Sequence, residues 1–289
     1  MDIDLDSGKL FAFVGGLCAF LLLESLLPAR TWTGSRLWRL IFHLGVAALN
    51  TLTIRLLVFV PLLLFSVYVE EQGWGISRWF GLVGWTELIV SLIVLDLFDY
   101  LWHRANHRLR FLWRFHKAHH SDSEMDVTTA LRFHPGELLL SAGVKALWLV
   151  IWGPTVIAWF VFEVMISFCA QFHHSNIDFP DSIERWLSRI VVTPRYHTAH
   201  HAVKRGWGDA NFATIFSVWD RVFRSYAQAP SGPAATQALG ALGLPEGRAY
   251  AGSPWSLLLE PIRSRNLSLA RGGADPASTQ VTTGSNGEN

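Results

Sequence analysis

Asp96-Leu-Phe-Asp99-Tyr-Leu-Trp-His103-Arg-Ala-Asn-His107 closes an apolar window that opens near Phe80, and this junction of lipid-compatible sequence with paired histidines decides the fold. As a helix, the window to Trp102 is long enough to cross hydrocarbon at ~1.5 Å per residue. Asp96, Asp99, His103 and His107 then share one helical face. The histidines belong at the membrane surface, with the aspartates a turn or two inside. Working outward, Phe11 to Leu27 carries Glu24 as its only charge, and Ile41 to Tyr68 is interrupted by Arg55 and Pro61. Downstream, Glu137 to Gln171 forms two apolar arms split by Gly153-Pro154, with Lys145 in the first and Glu163 in the second. Each arm is slightly shorter than a hydrocarbon core, so the pair reads as a helical hairpin leaving from the side it enters, or as a shallow re-entrant pair. Together the windows predict an all-α integral-membrane bundle of about four to five spanning or re-entrant helices under a histidine-rich helical cap.

Composition agrees. Of 289 residues 51% are hydrophobic and 16% charged, against roughly 25% charged in soluble domains, which excludes an ordinary soluble enzyme. With 24 Lys+Arg against 23 Asp+Glu, nothing points to a nucleic-acid partner. Two cysteines, Cys18 and Cys169, cannot make a disulfide framework or a cysteine zinc site. The acidic start Met1-Asp-Ile-Asp-Leu-Asp6 does not resemble a secretory signal, so the first apolar helix is expected to stay. Arg30, Arg36 and Arg39 follow the first window, and Arg104, Arg108, Arg110, Arg114 and Lys117 follow the third. The positive-inside rule then puts the N-terminus outside and the histidine cap and C-terminus in the cytoplasm. Ile183, Trp186, Leu187, Ile190 and Val191 recur at helical spacing between Asp181 and Pro194, predicting an amphipathic helix in the interface. Residues 1–265 are expected to form one membrane-embedded domain and 266–289 a disordered polar tail.

The twelve histidines need a chemical account. Apart from His43, read as a structural residue at the interface, they fall into His103-x-x-x-His107, His116-x-x-His119-His120, the isolated His134, His173-His174, and His197-x-x-His200-His201. Positions i, i+3 and i+4 converge on one helix face, so the repeated triplet is a ligand pattern. A single zinc needs three or four ligands; eight or more histidines suit two adjacent metal sites, each keeping an open position. Imidazole serves Zn, Cu, Fe and Ni, so the ligand type does not name the metal. Asp99, one turn from His103, is expected to accept that ligand's other ring N–H, or in the plainer reading to cap the helix or pair with Arg104. A histidine-rich metal-binding or transport protein is a rival reading, but transport uses ionisable residues near the bilayer midplane. A zinc hydrolase would leave most of the histidines idle, and no His-Glu-x-x-His occurs.

Asp99-Tyr-Leu-Trp-His103-Arg-Ala-Asn-His107, Arg114-Phe-His116-Lys-Ala-His119-His120, Arg132-Phe-His134-Pro135, Phe172-His173-His174-Ser-Asn176 and Tyr196-His197-Thr-Ala-His200-His201 resemble the successive boxes of the fatty acid hydroxylase/sterol desaturase superfamily of integral-membrane di-iron oxygenases. The resemblance covers about residues 90 to 225. It implies a helical bundle under a cytoplasmic cap, two iron ions, O2 as co-substrate, an electron-donor protein, and a lipid substrate that is hydroxylated or, at the same centre, desaturated. Carried over, it implies that His103, His107, His116, His119, His120, His197, His200 and His201 ligate the metals, with one further ligand from His173, preferred here, or His174. His134, Asp96, Asp99 and Asn176 are implied as further ligands or as supports for ligands. Ala213, ahead of Trp219-Asp220-Arg221, stands where relatives usually carry glycine, which puts the local backbone in question. Phe80, Trp85, Trp102, Trp159, Phe160 and Phe162 are candidate walls of a substrate path or, more plainly, packing and lipid-facing aromatics. The run Arg104 to Lys117 is either a docking site for an acidic electron carrier or the topological signal alone.

Overall fold

In the computed structural model of the chain, which describes residues 5–54, 57, 60–203, 207–231, 239–244 and 254–263, the apolar windows are helices. They are α1 (Leu5–Leu26), α2 (Arg36–Ile54), α3 (Val60–Glu71), α4 (Ile76–Trp79) and α5 (Gly84–Arg108). Then come α6 (Arg110–His120), a 3-10 turn (Val127–Leu131), α7 (Pro135–Trp152) and α8 (Val156–His174), followed by the short α9 (Asp181–Leu187), α10 (Pro194–His200), α11 (Val218–Val222) and α12 (Pro254–Arg263). Among the described residues, β-pairing is confined to three isolated bridges. Helix α8 is the axis of the molecule: α1, α3, α5, α10 and the 3-10 turn all pack on it. Leu62, Leu95, Trp148, Leu149, Trp159 and Phe162 bury the seam between α3, α5, α7 and α8.

Local sequence explains the expected hairpin. Pro135 sits in the first turn of α7, where its missing N–H costs nothing, and the His134 side chain accepts the Gly136 N–H as cap. The helix ends at Gly153, whose φ of 69° is left-handed. Thr155 then caps α8 by accepting from Ala158 N. Glu87 of α5 ties this turn down, accepting from Thr155 N and, through its other oxygen, from the Thr155 hydroxyl, both at 2.9 Å. Gly153 also lies against the segment before α4, so close that a Cβ there would stand 1.8 Å from the Trp74 carbonyl oxygen.

The chain is a membrane protein: α7 and α8 are each long and apolar enough to cross, and α3–α4 joined to α5, bent by 83°, makes a third candidate. That compares with the four to five expected. Within α1 the apolar described stretch is Phe11–Leu26, shorter than a full span, and the second window is divided between α2 and the twelve-residue α3. Exposed Trp74, Trp79, Phe80 and Trp85 gather where α4 meets α5, as an aromatic belt requires. The histidine end of α5 lies the length of that helix away, ~34 Å at His107. The predicted interfacial helix is shorter than expected: α9 stops at Leu187, a turn follows, and Val191 bridges Phe216. Its periodicity ran through a turn held by Arg221, whose guanidinium donates to Ser188 O at 3.0 Å. Arg55 and the polar tail lie outside the described residues.

Replacing Gly153 by Ala adds a Cβ at a left-handed φ and against backbone. We expect a loss of at least about 1 kcal/mol, read as a lower thermal midpoint in detergent; an unchanged midpoint would show that the α4–α7 approach is looser than described.

Candidate metal centre

Four helix ends meet on one side of the bundle. α5 brings His103 and His107, the last turns of α6 bring His116, His119 and His120, α8 ends on His173 and His174, and α10 carries His197 and His200 with His201 as its C-cap. Pro194 and the Thr193 side chain, which accepts from Tyr196 N at 3.2 Å, start α10 where it must begin. The rings fall into two groups whose nearest nitrogens lie within 4.8 Å of one another: His103, His107, His116, His120 and His200 in one, His119, His174, His197 and His201 in the other. His174 Nε2 is 2.9 Å from His119 Nε2 and 3.1 Å from His197 Nε2. His173 falls outside both groups, its ring centroid 4.1 Å from that of His197.

The other ring nitrogens fix the tautomers. Nδ1 of His103, His200 and His173 donates to the carbonyls of Phe212, Ala210 and Thr214 at 2.7, 2.7 and 3.2 Å, and His174 Nδ1 donates to Ala170 O at 2.7 Å. In each ring Nε2 is left as the lone pair, the form a metal takes. His116 Nδ1 bonds a carboxylate, Glu137 Oε1, at 2.7 Å, a support that histidine spacing does not reveal. Nε2 of His107, His116, His120 and His200 is buried and unpartnered, as is at least one nitrogen of His119, His197 and His201. So many bare nitrogens in a dry interior would each cost free energy unless something accepts their lone pairs. Two buried imidazole sets are donors suited to metal ions.

Asp96 and Asp99 do other work than expected of them. Asp96 accepts from Ile215 N, Phe216 N and Trp219 Nε1 at 3.2, 3.0 and 2.8 Å, and Asp99 Oδ2 accepts from the Thr214 hydroxyl at 2.7 Å. Asp220 accepts from Phe212 N, Ala213 N, Ser225 and Tyr196. The three carboxylates clamp residues 212–216 from both sides, and that segment presents the Phe212 and Thr214 carbonyls to His103 and His173. Asn211 takes the left-handed φ of 61°, while Ala213 is not among the described residues with positive φ, so alanine fits where glycine is usual. His134 caps α7 and turns Nε2 to Leu258 O at 3.2 Å. Asn176 pairs both ways with the backbone of Arg30. Among the described residues neither is hydrogen-bonded to a histidine of either group. His43 is structural but fully buried, against Thr128 and Arg132.

A cavity of about 310 Å³ opens beneath the rings, bounded by Phe13 of α1, Trp102 of α5, Leu138 and Lys145 of α7, Ile166 of α8 and the histidines themselves. Of the six candidate wall aromatics, Trp102 lines it; Phe80 and Trp85 are exposed, Phe160 is half-buried and does not line it, and Trp159 and Phe162 lie in the core.

Burial and then neighbouring imidazoles hold His119, His120, His197 and His201 well below the ordinary imidazole value, and burial brings His200 to about 3. Unfolded imidazoles protonate near ~6.5, so between there and ~3 the unfolded chain binds more protons and stability falls as pH falls. Metal-stripped protein should therefore melt at lower temperature at about pH 5 than at about pH 7.5; equal midpoints would refute neutral burial of these rings. Glu137→Gln removes the charge behind His116 and is expected to weaken metal retention about 10-fold to 100-fold in chelator competition, an unchanged retention assigning Glu137 to packing alone.

Residues 88–225 match the family model for fatty acid hydroxylase. The chain is 26% identical over 144 residues to an ornithine lipid hydroxylase of Rhizobium tropici, covering 50% of this chain and 43% of that protein. It is 33% identical over 138 residues to the alkylglycerol monooxygenase of Xenopus tropicalis (45% and 28%) and 26% identical over 148 residues to the cholesterol 25-hydroxylase of Mus musculus (50% and 48%). These matches span less than half the length of the relatives, and no solved structure matches. Every histidine of both groups lies inside the matched segment, and that segment is a domain of the fatty acid hydroxylase/sterol desaturase superfamily.

Proposed function

We propose that the protein is a membrane-bound di-iron oxygenase that hydroxylates a C–H bond of a lipid, using O2 and electrons from a donor protein. The observation that carries this reading is that both buried histidine groups face one cavity walled by membrane-length helices. The relatives are named as hydroxylases and monooxygenases of lipids, which favours hydroxylation over desaturation. His103, His107, His116, His120 and His200 would hold one iron, and His119, His174, His197 and His201 the other. His173 adjoins the second group and carries its lone pair on Nε2.

When bound, the metals supply O2 activation and the oxidising power to break an unactivated C–H bond. The chain supplies the rest. Carbonyls 210, 212 and 214 and the Glu137 carboxylate orient the rings and hold the proton on Nδ1, so that Nε2 carries the lone pair. Trp102, Phe133, Leu138 and Ile166 give the substrate an apolar stretch of cavity wall. The positive-inside pattern supports a cytoplasmic cap and C-terminus with the N-terminus outside. There, exposed Arg108, Arg110 and Arg114 beside α6 offer an acidic electron carrier a docking face.

Metal analysis of detergent-purified protein expressed with iron, with lipid mass spectrometry of cells with and without the chain, tests the proposal. We expect about two irons per chain, in line with two ligand sets, and a lipid gaining one oxygen atom. His200→Ala should lose metal and product while still inserting in the membrane. A single zinc, or iron-loaded protein that oxidises no lipid when given an electron source, would overturn the proposal.

A further inference from the structure

The cavity is not uniformly apolar. Its far wall carries Lys145, from the middle of the membrane-length helix α7, whose ammonium pairs with Glu163 of α8. Lys145 lies eight residues beyond Glu137, ~12 Å along the helix from the layer where Glu137 meets His116. A charged pair at that depth is costly, and ionisable side chains kept inside a membrane helix mark sites of function. A role limited to joining α7 and α8 would not require Lys145 to line a cavity. Around it the lining is polar as well. Ser141, one turn before Lys145 on the same face, accepts from Trp102 Nε1 at 2.8 Å, and Asp99 faces the same space with Thr214 donating to one of its oxygens.

An ammonium has three protons, of which Glu163 takes one, and a carboxylate has two oxygens, of which Thr214 takes one. The same cavity is thus lined by a donor, Lys145, which also lies over the Trp159 ring at 5.6 Å, and by an acceptor, Asp99. A hydroxyl, which donates and accepts at once and adds no net charge to the membrane interior, satisfies both. We propose that Lys145 and Asp99 bind a hydroxyl carried by the lipid substrate and so fix how far its chain extends from the histidines. This rests on the oxygenase reading for its purpose, but hydroxyl binding is measurable without turnover.

The test uses the iron-loaded full chain in nanodiscs and equilibrium binding of three probes: cetyl alcohol, its methyl ether, which accepts but cannot donate, and hexadecane. Wild type should prefer the alcohol over the alkane by at least about tenfold, with the ether between them. The double variant Lys145→Met/Glu163→Gln removes both charges together, leaving no unpaired ion. It should bring the alcohol preference close to one while hexadecane binding and iron content stay as in wild type. Equal binding of alcohol and alkane by wild type, a test independent of how the variant folds, would overturn the proposal, as would a preference that survives in the double variant. Alcohol preference in a chain that holds no iron and oxidises no lipid would instead sink the oxygenase reading and leave the hydroxyl site standing.

Discussion

Each imidazole of the histidine cluster needs a proton acceptor for one nitrogen if the other is to be left bare. In a dry interior an unassigned ring is expensive on both counts, and ten such rings sit within one cluster. For His103, His173, His174 and His200 the acceptor is a backbone carbonyl. Residues 210, 212 and 214 lend carbonyls to three rings taken from three different helices. That segment can do so because Asp96, Asp99 and Asp220 hold its N–H and hydroxyl groups from either side. The helices carry the ligands, but an irregular stretch aims them.

The membrane part serves the same end by holding the helix termini together. Helix α8 runs from the Gly153–Thr155 turn, pinned by Glu87, to His173 and His174. Packing α1, α5 and α10 around that one helix brings ligands far apart in sequence to a common level. The cavity beneath them is bounded by the same helices, so the geometry that aims the rings also shapes what can reach them.

Much of this was legible in the residues. Histidine spacing identified the helix faces that converge because the 3.6-residue period is a local property. The hairpin was legible through Gly153-Pro154, where the turn chemistry is local too. What was not legible is tertiary. Asp99 shares a face with His103, yet its carboxylate meets Thr214, over a hundred residues on; periodicity gives a direction but not a partner. Glu137 supports His116 from the first turn of another helix, and its only sequence signal was an acid at a helix start, which is commonplace. His173 and His174 are adjacent, so only the path of α8 separates their surroundings. The apolar period through Ile190 continued past the true end of α9, because exposed apolar residues in a turn mimic a helix stripe.

The carbonyl cradle has a consequence for biosynthesis. His103, His107, His116, His119, His120, His173 and His174 all leave the ribosome before residues 210–220 exist. Until the clamp around Asp220 closes, the rings of His103 and His173 have no fixed acceptor and can exchange tautomers or turn away. A nascent chain therefore displays imidazoles with no defined selectivity among divalent ions. Only after the last clamp closes does it present two ordered sets, which makes maturation of the centre a late event, separate from insertion of the helices into the bilayer.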